Sequence, residues 1–256
     1  MYFKYNDITI YYEIYGNSDK TVLILPGWGN TRNTFINIIN LLKDSYKVFI
    51  IDYPSFGNSP IPNRELSIYD YAQLVSNFIK ENNINNPIII AHSFGGRIVS
   101  ILSSKYNFKI NKLVLMDVAG IKRRKSFKTF FKEKLYKLLK KITHLFPKIK
   151  QERLRQMLLL KFGSNDYINL PICMRKTFQN IVKEDLRKYY KKIDVETLLI
   201  WGNNDTDTPL SDGFYLNKII KNSALIIYKN ANHFSYLNYP YLTNEILKEY
   251  LKIKTR

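Results

Sequence analysis

Short apolar runs of strand length alternate with longer stretches of helical spacing along most of the chain. The strand-length runs are rich in Ile, Leu and Val and cover residues 21–26, 48–53, 88–92, 113–118, 197–202 and 224–229. Apolar residues instead recur every three or four positions, as in amphipathic helices, over residues 35–42, 68–79, 98–106 and 246–251. Parallel strands need crossover connections, so the alternation predicts an α/β fold whose mostly parallel central sheet has helices on both faces.

The first fifteen residues follow a different pattern, in which apolar and polar positions alternate. Ile8, Ile10, Tyr12 and Ile14 share one face of such a strand, and the Asn-Asp pair before them has the composition of a turn. We therefore expect the chain to begin with two antiparallel strands. A basic segment followed by an apolar run is missing here, so no secretory signal is expected, and no apolar stretch approaches a membrane span in length.

The alternation stops between residues 119 and 187, where no strand pattern occurs. Apolar residues there recur at helical spacing, with lysines between them, at Phe127, Phe130, Phe131, Leu135, Leu138, Ile142 and Leu145. Because the segment follows one strand and precedes the next, we interpret residues 119–192 as a helical cap inserted over the carboxyl edge of the sheet. Residues 1–118 and 193–256 then form the core, and the apolar stripe of the cap is expected to line the entrance to a site.

The formal net charge of +19 is concentrated in this insertion. Residues 121–192 hold 22 Lys and Arg against 5 Asp and Glu, whereas residues 1–120 hold 11 against 9 and residues 193–256 hold 7 against 7. Charge confined to one segment of an otherwise nearly neutral chain does not indicate nucleic-acid binding, and none is expected. The single cysteine, Cys173, excludes an internal disulfide and favours a reducing, cytoplasmic compartment.

The most informative local pattern lies at residues 88–96, where an Ile-rich strand stops at His92 and Ser93 and small residues flank the serine. A sharp turn from strand to helix would present the Ser93 side chain at the carboxyl end of a buried strand. Gly95 and Gly96 allow the chain to approach itself closely there. Ser93 is therefore a candidate nucleophile, and an ordinary polar turn is the competing interpretation.

A serine nucleophile needs a base within hydrogen-bond reach and a carboxylate that orients the base. The chain has three histidines. His92 points to the opposite face from its neighbour Ser93 and is expected to support the turn, while His144 fits an amphipathic cap helix. His233 follows the strand at 224–229 and can reach the edge that carries the serine, so it is the predicted base.

The orienting acid and the oxyanion donors are also found just beyond strands. Asp117, Asp205 and Asp207 could each orient the histidine, and each could instead shape a turn. Negative charge that develops on a substrate oxygen needs N–H donors, and the backbone amides of Trp28 and Phe94 are the candidates. This chemistry needs neither a metal nor a cofactor, and none is expected.

Together these segments resemble the α/β-hydrolase superfamily over nearly the whole chain. The similar segments are the nucleophile elbow, the oxyanion loop, the Asp-x-Pro-Gly-x-Gly-x-Ser loop, the acid loop and the histidine loop, at residues 91–96, 26–29, 52–59, 202–209 and 232–234. The order Ser, Asp, His is that of the family. The chain departs from the family pattern at Pro26, where His is usual, and at Ser55, Ala91 and Asn232, where Gly is usual.

The resemblance implies a triad of Ser93, His233 and Asp205, since Asp205 fits the family's Gly-x-x-Asp-x-x-x-Pro pattern. It implies a serine hydrolase of the capped branch that includes esterases and C–C bond hydrolases, and the family also contains lipases and thioesterases. Its epoxide hydrolases and dehalogenases generally use an aspartate nucleophile, so Ser93 counts against them.

The surroundings of the site suggest two functions. Trp28 and Phe234 are expected to add aromatic surface to the pocket, so the expected substrate is a small ester or related acyl compound with an apolar acyl or aryl group. The lysines of residues 121–150 suggest the alternative, a non-catalytic or weakly catalytic hydrolase-fold protein whose basic cap binds anionic membranes or amphiphiles. A solvated charged face of a Lys-rich protein would explain the same lysines.

Overall fold

The computed structural model describes residues 1–106, 109–123, 127–163, 165–168 and 170–253. Within these residues the strands form one eight-stranded sheet in the order β1-β2-β4-β3-β5-β6-β7-β8. The strands are β1 (Tyr2–Tyr5), β2 (Ile8–Tyr15), β3 (Thr21–Leu25), β4 (Lys47–Asp52), β5 (Ile88–His92), β6 (Lys112–Met116), β7 (Thr197–Gly202) and β8 (Ser223–Tyr228).

The pairing of the strands agrees with the sequence pattern. β1 pairs with β2 and β2 with β4 in antiparallel register, and the other neighbouring pairs are parallel. Asn6 has a left-handed φ of 52° in the turn between β1 and β2. The α/β fold with a mostly parallel sheet is therefore confirmed.

Helices connect the strands. They are α1 (Ile36–Leu42), α2 (Ile68–Glu81), α3 (Phe94–Lys105), α4 (Phe127–Ile142), α5 (Lys148–Phe162), α6 (Asn165–Ile168), α7 (Met174–Lys183), α8 (Arg187–Tyr190), α9 (Leu210–Ile219), α10 (Ser235–Asn238) and α11 (Pro240–Leu251). The apolar spacing did not predict α7 or α9. No helix in the described part of the chain is both long enough and apolar enough to cross a membrane.

Both faces of the sheet are buried beneath helices. Along β3, Leu23 and Leu25 belong to one core cluster and Val22 and Ile24 to the other, and all four are inaccessible to solvent. α2 and α3 contribute to the first cluster, whereas α1 and α11 contribute to the second. A strand covered on both sides needs apolar residues at successive positions, which explains the continuous Ile, Leu and Val runs.

The inserted helices between β6 and β7 are held to the core unequally. Within α7, Met174, Thr177 and Ile181 are buried, whereas α5 has no buried residue. In α4 the described members of the apolar stripe are exposed, with exposed fractions of 64%, 48%, 57% and 41% at Phe131, Leu135, Leu138 and Ile142. Two further members of the predicted stripe, at positions 127 and 130, lie outside the residues whose side chains are described.

Helix α3 lies unusually close to the sheet. A Cβ atom at Gly95 would stand 2.1 Å from the carbonyl oxygen of Leu25, and one at Gly96 would stand 2.3 Å from Cβ of Val118. Because real Cβ atoms do not come this close to other heavy atoms, both positions require glycine for the helix to reach its place.

We predict that Gly95→Ala lowers the free energy of unfolding by about 1–3 kcal/mol, because α3 must move away from the Leu25 carbonyl. Urea denaturation followed by circular dichroism measures the change. Ser104→Ala on the same helix is the control: it removes only a hydroxyl that donates to the Ile101 carbonyl, and its effect should stay within about 0.5 kcal/mol. Equal stability of Gly95→Ala and the unmodified protein would contradict the close packing.

Candidate active site

The turn after β5 holds Ser93 in a strained conformation. Its backbone φ and ψ are 46° and −109°, a conformation that residues other than glycine rarely adopt. Three backbone hydrogen bonds fix the turn: the Ser93 amide donates to the Met116 carbonyl, and the Ser93 carbonyl accepts from the amides of Gly96 and Ala119. In this conformation Ser93 forms part of the wall of a cavity beyond the end of the strand.

A chain of hydrogen bonds joins three of the predicted site residues. Nε2 of His233 lies 2.8 Å from Oγ of Ser93, and Nδ1 of the same imidazole lies 2.8 Å from Oδ2 of Asp205. The three residues come from the ends of β5, β7 and β8, which finish at the same edge of the sheet. The arrangement can move a proton from the serine hydroxyl onto the imidazole, with the carboxylate orienting the ring.

The structure separates the three candidate acids, of which Asp207 has an exposed side chain. Oδ1 of Asp205 accepts from the amides of Asp207 and Thr208, at 2.8 and 2.9 Å, and Oδ2 accepts from the Thr208 hydroxyl. Asp117 instead accepts from the Gly202 amide at 2.8 Å and from the amide and hydroxyl of Ser235. Asp117 therefore fastens the acid loop to the start of α10, and Asp205 is the acid that faces the imidazole.

Electrostatics separate the roles of the buried groups. Burial opposes ionisation of Asp205, but hydrogen bonds from His233 and Thr208 outweigh it and hold the pKa of Asp205 below its ordinary value. Burial likewise disfavours a charged His233, and the hydrogen bond and charge of Asp205 overcome it and raise the pKa of His233. Burial raises the pKa of Asp117 to about 7, against the opposing effect of its hydrogen bonds.

The other two histidines lie outside this chain of hydrogen bonds. His92 is fully buried, and its Nε2 lies 2.8 Å from the carbonyl oxygen of His233. Burial lowers the pKa of His92 to about 3, so the ring stays neutral and its Nε2–H supports the histidine loop. His144 lies beyond the carboxyl end of α4, where Gln151 and Arg155 contact its ring.

The serine opens onto a cavity of about 250 Å³. Its described walls are Trp28, Ser93, Phe94, Arg97, Ala119, Phe178, Ile181, Val182, Asp207, Thr208 and His233. Among the described residues, the amides of Trp28 and Phe94 donate to no other group, which leaves both available to a substrate oxygen. Their rings pack edge to face with centroids 5.0 Å apart.

Two expectations about the pocket need correction. Phe234 does not line the cavity, because its ring packs beside His92 with centroids 5.1 Å apart. The described side chains of α4 do not line it either; the insertion contributes Phe178, Ile181 and Val182 of α7. The apolar spacing of α4 predicts that one face of the helix is apolar. It does not show what that face packs against, so the prediction that the face lines the site was wrong for the described residues.

Sequence reasoning missed two polar residues of the cavity, Arg97 and Thr208. Arg97 stands four positions after Ser93, in the first turn of α3, and both residues line the cavity. The sequence contained one signal for Arg97: it is a single charged residue at the start of a helix that otherwise begins with apolar and small residues.

Asp205, Asp207 and His233 also offer potential metal ligands, with one ligand atom from each within 4.8 Å of the others. Two of these residues are already hydrogen-bonded to each other, since Nδ1 of His233 bonds Oδ2 of Asp205. The second oxygen of Asp205 accepts two backbone amides. A metal ion would have to displace these bonds, so the geometry favours proton transfer over metal coordination.

Comparisons with known proteins agree with this architecture. A family model described as the alpha/beta hydrolase fold matches residues 20–240. The chain is 25% identical over 267 residues to the pimeloyl-[acyl-carrier protein] methyl ester esterase of Wigglesworthia glossinidia brevipalpis, covering 94% of this chain and 97% of the relative. It is 24% identical over 269 residues to the 2-hydroxy-6-oxononadienedioate/2-hydroxy-6-oxononatrienedioate hydrolase of Escherichia coli strain K12, covering 95% and 91%.

Solved structures share the fold over almost the whole length. The bromoperoxidase from Bacillus anthracis superposes with a TM-score of 0.73 at 20% identity, and an esterase from Exiguobacterium antarcticum with 0.73 at 22%. Each match covers 96% of this chain and 96% of the other. At these identities the likeness establishes the fold alone.

We predict that the imidazole signals of His233 and His92 titrate differently in an NMR pH series. His233 should titrate above the ordinary histidine value because Asp205 stabilises its charged form, and His92 should stay neutral down to about pH 3. In Asp205→Asn the burial of His233 remains without the charge, so its pKa should fall below the ordinary value. An unchanged His233 titration in that variant would contradict the pairing.

Proposed function

The chain belongs to the alpha/beta hydrolase family, and we propose that it is a serine hydrolase that cleaves carboxylic esters or related acyl compounds through Ser93, His233 and Asp205. The 2.8 Å contacts on either side of the His233 ring are the observation that carries this proposal. The similarity to a methyl ester esterase and to a 2-hydroxy-6-oxononadienedioate/2-hydroxy-6-oxononatrienedioate hydrolase also supports a hydrolase.

In the proposed reaction, Oγ of Ser93 bonds to the substrate carbonyl carbon while its proton passes to Nε2 of His233. The amides of Trp28 and Phe94 stabilise the oxyanion, and Asp205 stabilises the charged imidazole. The tetrahedral intermediate then breaks its bond to the leaving group, which takes the proton from His233. Water attacks the remaining acyl-enzyme with His233 as base, and the acid and free Ser93 are released.

The proposed substrate carries an apolar acyl or aryl group. Aromatic and aliphatic side chains of Trp28, Phe94, Phe178, Ile181 and Val182 form much of the cavity wall, which supports this choice. We also propose that residues 119–192 act as a cap on a core formed by residues 1–118 and 193–256. The contribution of α7 to the cavity wall supports that division.

A second proposal concerns where the enzyme works: the insertion contacts anionic membrane surfaces. The stripe of exposed apolar side chains along α4 continues through Leu145 and Ile149, exposed by 82% and 86%. Lysines flank it within a segment of net charge +17, from 22 basic and 5 acidic residues. Apolar side chains beside lysines suit a lipid interface, where the former enter the acyl boundary and the latter meet headgroups.

Labelling with a fluorophosphonate probe tests the nucleophile. The unmodified protein should become labelled at Ser93, and Ser93→Ala should lose the label because Ser93 is the serine that bonds His233 among the residues the structure describes. Ser103→Ala, on the far part of α3, is the matched control and should label normally. Labelling of Ser93→Ala equal to that of the unmodified protein would contradict the assignment, and no labelling of any variant would favour a membrane-binding protein with little turnover.

Sedimentation with lipid vesicles tests the membrane proposal. Phosphatidylglycerol-containing vesicles should bind the protein, pure phosphatidylcholine vesicles should not, and added salt should weaken binding. Leu138→Ser should reduce binding about tenfold by removing an inserted side chain. Phe214→Ser on α9 is a control with similar exposure, 54% against 57%, and should bind as before. Binding that is indifferent to lipid charge, or equally reduced in both variants, would rule against the proposal.

A further inference from the structure

Arg97 brings a positive charge to an otherwise largely apolar part of the cavity. Among the described residues that line this space it is the one arginine or lysine, and it stands four positions beyond Ser93 in the chain. A guanidinium that lines the same cavity as the serine can reach part of the same substrate molecule. Its role therefore depends on what else in the protein neutralises it.

The contacts of Arg97 leave its charge without a carboxylate partner. Nη1 donates to the carbonyl oxygens of Ile181 and Glu184, at 3.1 and 3.4 Å, at the carboxyl end of α7. No carboxylate of the described residues forms an ion pair with it. The two nearby acids have other partners, since Glu184 accepts from the Tyr69 hydroxyl and Asp185 pairs with Arg187.

The surroundings make this charge costly. Burial lowers the pKa of Arg97, and the attraction of Tyr190, Glu184 and Asp185 offsets only part of that effect. Asp207 also lines the cavity, but its side chain is exposed and water screens its charge. An anion that entered the cavity would complete the hydrogen bonding of the guanidinium and compensate its desolvation.

We propose that Arg97 binds a carboxylate of the substrate, so that the preferred ester carries a negative charge in addition to its apolar portion. The inference rests on the proposed hydrolase function and adds the substrate class. A planar guanidinium with free N–H groups matches a carboxylate in shape as well as in charge. The hydrogen bonds from Arg97 to the carbonyl oxygens at the end of α7 also fix the position of the guanidinium for such a ligand.

Matched ester pairs test this proposal. Nitrophenyl hexanoate and the mono-nitrophenyl ester of adipic acid differ by a terminal carboxylate on the acyl part, and a second pair carries the carboxylate on the alcohol part. In the unmodified protein kcat/KM should favour the anionic member of at least one pair by about 10- to 100-fold. Arg97→Gln should bring that ratio close to one, and Arg97→Lys should retain part of it.

The ratio of kcat/KM for the anionic ester to that for the neutral ester is compared within each variant. This ratio distinguishes binding of the carboxylate by Arg97 from a purely structural role of Arg97. If Arg97→Gln lowers both members of a pair equally, Arg97 only braces α7 and the proposal is wrong. It is also wrong if the unmodified protein favours the neutral member of both pairs. Lys183→Gln removes the same charge from an exposed position on α7 outside the cavity wall and should leave the ratio unchanged.

Calorimetric titration of Ser93→Ala with the same esters keeps this inference distinct from the proposed hydrolysis. Tighter binding of the anionic ester, lost when Arg97→Gln is added, supports the carboxylate site even if the protein turns over no ester. Equal binding of anionic and neutral esters would overturn the site while leaving the nucleophile assignment intact.

Discussion

The shared ending of the parallel strands is the constraint on which this site depends. Ser93 and His233 are 140 positions apart, yet β5 and β8 finish at the same edge and bring their side chains within 2.8 Å. Asp205 reaches the same edge from β7. Asp117, at the end of β6, is hydrogen-bonded to both the acid loop and the start of α10. A shift in the register of any of these strands would separate the serine, imidazole and carboxylate.

Hydrogen bonding makes the buried polar groups of the site tolerable. Both oxygens of Asp205 accept hydrogen bonds from the acid loop or the imidazole, so the carboxylate stays ionised although it is buried. The ionised carboxylate in turn raises the pKa of His233. His92, two positions upstream of Phe94 and without such a partner, remains neutral. Opposite shifts in pKa thus distinguish the histidine of the proposed triad from a structural histidine.

The insertion combines two different environments. Helix α7 packs on the core, contributes Phe178 and Ile181 to the cavity wall and receives the hydrogen bonds of Arg97 at its carboxyl end. The described part of α4 instead exposes its apolar stripe, while Tyr136 packs toward Phe162 of α5. The insertion therefore carries most of the positive charge of the chain and also exposes apolar side chains on its helix α4.

The sequence by itself determined the alternating strands and helices, the turn at Ser93 and the strand-end positions of His233 and the three acids, because these depend on local spacing and backbone preference. It could not rank Asp117, Asp205 and Asp207 without a family pattern, since all three follow strands. Only the tertiary structure decided which carboxylate faces the imidazole, that Phe234 packs beside His92, and that Arg97 opens onto the cavity. Those outcomes depend on the packing of elements distant in sequence, on which the periodicity of a single helix or strand carries no information.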